Sequence, residues 1–101
     1  MILYIGHHHC LDYELLEYAT EEIMELWVFA GPKSKGLENL ARKSHVVCLG
    51  TLAHEKMKPL IRQARVGIIP FVKNQLTRGV FPVKFLEYSD CGVPTVATDF
   101  Y

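Results

Sequence analysis

Neither sign of charge predominates in this sequence: 11 lysines and arginines stand against 11 aspartates and glutamates, leaving a formal net charge of zero. That balance offers nothing to attract nucleic acid or an anionic membrane surface. Long apolar runs are missing too. The opening Met1-Ile2-Leu3-Tyr4-Ile5 meets Gly6 and three histidines at once, far short of the ~20 residues of a membrane span. No signal-peptide pattern is visible. Cysteine is scarce. Cys10, Cys48 and Cys91 are odd in number and widely spaced, which argues against a disulfide framework and for a reducing, cytoplasmic setting; they read as small core or near-surface residues. There is no Ser-His-Asp set, no Walker loop and no Gly-x-Gly-x-x-Gly fingerprint, so an active site complete within this chain is not expected. No internal repeat, low-complexity tract or linker appears, and residues 1–101 read as one small domain.

What is present is apolar material, half of all residues, arranged in short blocks. Residues 2–5 form an apolar run stopped by Gly6, a first strand. Asp12 is a candidate N-cap, and Leu11, Leu15, Leu16, Ala19 and Ile23 recur at helical spacing, which predicts a helix over residues 12–25. Residues 26–30 are a second strand, ended by the turn pair Gly31-Pro32. Leu37, Leu40 and Ala41 share one side of a short helix over 36–43, and residues 45–49 form a third strand closed by Gly50. Residues 51–58 read as a loop or loose turn. Proline opens a helix more readily than it sits inside one, so a third helix is predicted from Lys58 or Pro59, with Leu60, Ile61 and Ala64 inward. Residues 66–70 are a fourth strand, 71–81 the longest irregular connection, and 93–97 a fifth strand rich in β-branched residues.

Strands and helices thus alternate. The strands are continuous apolar runs, as in a parallel sheet covered on both faces. With right-handed crossovers this predicts an α/β, Rossmann-like, doubly wound sheet of about five strands in the order 3-2-1-4-5. Ligand is expected at the carboxyl ends of the strands, near the switch between the first and fourth, bordered by loops 6–11 and 71–81.

One stretch carries chemistry. In Val80-Phe81-Pro82-Val83-Lys84-Phe85-Leu86-Glu87-Tyr88-Ser89-Asp90-Cys91-Gly92-Val93-Pro94-Thr95-Val96, Pro82 suits the first position of a helix and Gly92 the residue just past its end. Lys84 and Glu87 are three apart and share a helix face. An open helix start attracts phosphate, a lysine there adds charge, and a carboxylate one turn on accepts hydrogen bonds from sugar hydroxyls. The plainer reading of Lys84 and Glu87 is an exposed helical ion pair, worth a few tenths of a kcal/mol.

The pattern Pro-x-Lys-x-x-Glu-Tyr, followed by Gly-x-Pro-x-Val-Ala-Thr, resembles the donor-binding signature of GT-B glycosyltransferases, in the C-terminal domain of group 1, family 4-like enzymes of bacterial type. The likeness extends over nearly the whole chain: Tyr4-Ile5-Gly6 with Asp12-Tyr13-Glu14-Leu15-Leu16, Trp27-Val28-Phe29-Ala30-Gly31-Pro32, Val47-Cys48-Leu49-Gly50 and Val66-Gly67-Ile68-Ile69-Pro70-Phe71 resemble its successive strands and turns. The resemblance implies that the helix start at Pro82 and Lys84 faces a nucleotide diphosphate and that Glu87 binds the ribose. It implies a UDP- or GDP-sugar as donor, with no further cofactor and no metal. Many members carry a second Glu eight residues before the first, where this chain has Gly79, and the neighbouring Arg78 is not a carboxylate. The Arg and Lys of some members' early loops have no match either, since Gly6 leads into His7-His8-His9. The donor-site residues expected from position and resemblance are therefore Gly6, His7, Arg78, Gly79, Pro82, Lys84 and Glu87, with no catalytic residue assigned.

Other features keep two readings each. His7, His8, His9 and Cys10 lack metal-ligand spacing and read as a polar loop, or as a loop with one histidine lining the donor pocket. Gly31-Pro32 is a plain turn or a border to the base. Lys73, Asn74 and Arg78 meet phosphate or form a solvated basic loop. The full enzymes supply acceptor and catalytic base from an N-terminal domain and continue past the fifth strand. The expectation is therefore a partial, truncated donor-binding domain that is not active alone. The rival is a non-catalytic Rossmann-like module that forms a homo-oligomer through strand edges and apolar faces normally covered, with Phe100 and Tyr101 as first candidates for the contact.

Overall fold

The computed structural model describes residues 1–7, 9–72 and 81–98, with the backbone alone for 81–85. Strands and helices alternate in the order β1 (Ile2–Ile5), α1 (Tyr13–Glu22), β2 (Trp27–Ala30), α2 (Lys35–Leu40), β3 (Val46–Gly50), α3 (His54–Arg62), β4 (Val66–Ile69), α4 (Phe81–Asp90) and β5 (Thr95–Ala97). All pairings are parallel and the sheet runs β3-β2-β1-β4-β5, the predicted order. Ile2 stands opposite Trp27 on one side and Val66 on the other, so β1 is the centre from which the chain winds both ways. Right-handed crossovers then put α1 and α2 on one face, α3 and α4 on the other.

β1 and β2 are buried along their whole length. Leu3, Tyr4, Phe29 and Ile69 are at most 1% exposed, and each such side chain stabilises the fold by roughly 1.5–3 kcal/mol of removed apolar surface. The expectation of two-sided burial fails at the sheet edges. β3 alternates, with Val47 and Leu49 exposed, and Val96 of β5 is 62% exposed. An edge strand has one neighbouring strand, so a single helix layer leaves its other face bare. An apolar groove of about 340 Å³ results beside α1, lined by Leu15, Ala19, Ile23, Ile68 and Val96 among others.

The ends of the elements follow local chemistry. Asp12 caps α1 by accepting from the Leu15 N–H at 3.1 Å, and Ser34 caps α2 by accepting from Leu37 at 3.2 Å. α1 stops at Glu22, short of the predicted residue 25, where Ile2 takes the Leu26 carbonyl and the Trp27 indole N–H takes that of Ile23. Inside, the Thr20 hydroxyl donates to the Leu16 carbonyl and accepts from the Lys43 ammonium, which also pairs with Glu17.

The third helix corrects the sequence reading. It begins at His54, so Pro59 lies within it. Met57, Leu60, Ile61 and Ala64 keep helical spacing, with Ile61 2% exposed, and burying that face outweighs the one backbone bond a proline removes. Pro59 itself faces outward, where water can serve the carbonyl left unpaired.

α4 ends as expected at Gly92, whose φ is +72°. The Gly92 N–H donates to the Ser89 carbonyl and the Val93 N–H to that of Tyr88, each at 3.0 Å, the paired bonds of a Schellman cap. Tyr88 and Val93, the apolar pair that accompanies such a cap, are both buried.

Candidate functional site

The carboxyl ends of β1, β2 and β3 converge on a cleft of about 250 Å³. Its walls are Ile5, Gly6 and His7 after β1; Ala30, Gly31 and Pro32 after β2; Thr51 and Leu52 after β3; Met57 of α3; and Glu87 of α4. It lies at the carboxyl ends of the strands as expected, but on the β1–β3 side of the switch: no residue of β4 and neither Phe71 nor Val72 lines it.

Glycine backbone builds the floor. The Gly6 N–H donates to the Ala30 carbonyl at 2.9 Å and the Gly31 N–H to that of Gly50 at 2.8 Å, tying the first three strand ends together. Gly6 and Gly31 have φ of +147° and +148°, a region that disfavours side chains. A Cβ on Gly31 would lie 2.0 Å from the Gly6 carbonyl oxygen, so the two turns touch backbone to backbone. The Tyr4 hydroxyl donates to the His7 carbonyl at 2.7 Å, fixing the chain as it leaves Gly6, and the His7 and His9 rings stack at 6.0 Å.

The two loops expected to border the crevice are joined at their bases. Leu11 and Phe71 form an isolated antiparallel bridge; the Asp12 N–H donates to the Pro70 carbonyl and the Val72 N–H to that of Cys10, each at 2.8 Å. From β5, the Thr98 hydroxyl donates to the Phe71 carbonyl. Below the cleft the Tyr88 ring lies against Gly67, and its hydroxyl reaches Ile5, Leu3 and Ile68. Burial, first of all causes, raises the Tyr4 and Tyr88 phenols above their ordinary range, so both stay neutral and act as hydrogen-bonding groups.

Of the residues expected at the site, Gly6, His7 and Glu87 line this one cleft, and so does Gly31-Pro32. Glu87 is its one carboxylate among the described residues. Pro82 and Lys84 occupy the first turn of α4, and nothing further is described of their side chains. Arg78, Gly79, Lys73, Asn74 and His8 lie outside the described residues, as do Phe100 and Tyr101. No cluster of metal-ligating side chains occurs among the described residues, and none of the described helices is long and apolar enough to cross a membrane.

Thr51, Leu52 and Met57 were missed by sequence reasoning. The first two follow the third strand directly, so the crevice rule itself could have placed them. Met57 was hidden because residues 51–58 read as a loop. Lys33 was also missed; its chain passes 3.6 Å from where a Gly50 Cβ would stand, beside the same strand ends. Its charge opposes the burial that raises the Cys48 thiol.

Sheet order, crossovers and a cleft at the strand carboxyl ends define an α/β domain of the Rossmann-like class. Within that class, residues 2–101 match the family described as Glycosyl transferases group 1, and the chain belongs to that family. A search of curated proteins finds no match.

Proposed function

We propose that this domain binds the nucleotide-diphosphate sugar donor of a GT-B glycosyltransferase, in the cleft at the carboxyl ends of β1, β2 and β3. The observation that carries the reading is that Glu87 lines the same cleft as Gly6 and His7. A carboxylate in this place accepts hydrogen bonds from both ribose hydroxyls. Bare backbone at Gly6 and Gly31 lets a planar base or a phosphate come close, with Pro32 and Leu52 as the apolar border for the base and the Thr51 hydroxyl beside them. The first turn of α4, with Pro82 and Lys84, offers free N–H groups and positive charge to the diphosphate as it leaves, helped by Arg78 and the backbone of Gly79. The donor is a UDP- or GDP-sugar handled in the cytoplasm without a metal. The part of the reaction assigned to this domain is donor binding, and the acceptor and a catalytic base are contributed by residues outside the cleft.

Calorimetric titration with UDP and with GDP tests this. Saturable binding by at least one is expected, weakened roughly tenfold or more by Glu87→Ala through loss of hydrogen bonds to a charged group. No saturable binding of either at millimolar concentration overturns the reading.

The bare apolar groove beside Val96 favours a second reading, a non-catalytic module that associates with copies of itself. It predicts a dimer on a calibrated column that Val96→Glu converts to monomer; a wild-type monomer at high micromolar concentration removes it.

A further inference from the structure

The register between β1 and β4 stops early. Ile2 pairs with Val66 and Leu3 with Gly67, and no pair follows. Carried one step on, a parallel ladder would set Tyr4 against Ile68 and have the Ile5 N–H donate to the Ile68 carbonyl. The Tyr88 hydroxyl occupies that step instead. It accepts from the Ile5 N–H at 3.3 Å and lies 3.2 Å from the Ile68 carbonyl and 3.4 Å from that of Leu3, either of which its proton can serve. The ring reaches the ladder across Gly67, where a Cβ would stand 2.5 Å from the ring's Cγ.

We infer that Tyr88 is a positioning residue: its ring and hydroxyl wedge β1 apart from β4 at the switch point and fix Glu87 opposite Gly6. Three observations support the role. The hydroxyl satisfies the N–H and C=O that the missing ladder step would have joined. The strands are joined again only beyond the wedge, by the Leu11–Phe71 bridge, so the opening is bounded at both ends. Glu87 precedes Tyr88 on α4, and the bond from Ile5 ties that turn of helix to the residue immediately before Gly6. With the wedge removed, β1 and β4 can zip one step further, drawing the Gly6 turn toward β4 and away from the cleft wall.

The consequence for ligand affinity rests on the donor-site reading; the strand pairing does not. Isotope-labelled wild type, Tyr88→Leu and Tyr88→Phe are compared by NMR, through the coupling across a hydrogen bond from Ile5 nitrogen to Ile68 carbonyl carbon, by amide exchange, and by UDP and GDP titration. Wild type should show no Ile5–Ile68 coupling. Tyr88→Leu should gain it and lose about tenfold or more in nucleotide affinity. Tyr88→Phe keeps the wedge without its hydroxyl. It should gain no coupling, bind within about threefold of wild type, and exchange the Ile5 amide about tenfold faster relative to the rest of β1. A residue that merely stabilises the fold would change global exchange evenly and create no new coupling. A folded Tyr88→Leu with neither coupling nor lost affinity overturns the inference. Should that variant not fold, unchanged relative exchange of Ile5 in Tyr88→Phe overturns it. If wild type binds no nucleotide the donor-site reading falls, and the coupling and exchange still decide the wedge.

Discussion

Gly31→Ala should lower the melting temperature by more than about 10 °C and abolish binding at the cleft, or leave the chain unable to fold. The added Cβ would stand 2.0 Å from the Gly6 carbonyl oxygen, which is backbone and cannot swing aside as a side-chain tip does. The φ of +148° adds strain of its own. Together these terms amount to roughly 2–6 kcal/mol, against a total stability of about 5–15 kcal/mol for a domain of this kind. Each kcal/mol moves the midpoint of a chain this short by about 4–8 °C. Relief requires moving the Gly6 turn, and with it the bond to Ala30 and one wall of the cleft. Thermal unfolding followed by circular dichroism checks the prediction; a midpoint within about 2 °C of wild type refutes it.

Gly67→Ala is the second large effect, and here the neighbour is a side chain. The new methyl would enter the Tyr88 ring at 2.5–2.6 Å from three of its carbons. Tyr88 is 1% exposed and held by its hydroxyl, so the ring has nowhere to retreat. Overpacking of this kind costs about 1–3 kcal/mol. Because the clash is with one partner, Gly67→Ala combined with Tyr88→Leu should destabilise by clearly less than the sum of the two alone, by at least about 0.5 kcal/mol. Denaturant unfolding of the four proteins gives that cycle, and strict additivity would place the strain elsewhere.

The sheet order was legible because β1 to β4 are compact apolar blocks separated by Gly6, Gly31, Gly50 and a proline. Those glycines stop strands and also bring three turns together, so the marks that divided the sequence also located the cleft. Glu87 lines the cleft, and its place on α4 could be read from Pro82 and Gly92 by counting. Three things escaped. Pro59 hid four helical residues, because a local cost was weighed without the burial of Met57 and Ile61 that offsets it. Exposure at Val47, Leu49 and Val96 escaped because a continuous apolar run looks the same in a central strand and at an edge. Tyr88 stood in plain view beside Glu87, yet its partners are 20 to 85 positions away, a separation that no local pattern reports.

Those separations bear on how the molecule is made. During synthesis, residues 2–50 can already lay β1, β2 and β3 side by side, with three of the turns that floor the cleft. Met57 of α3 adds the next wall, the last arrives only when residue 87 has emerged and its helix has docked, and the contact from residue 88 to residue 3 completes the opening. A half-made chain therefore offers a ligand no finished cavity, however well its first strands are formed. Any ligand that fills this cleft holds residue 87 to turns formed more than 30 residues earlier, and so stabilises the long-range part of the fold.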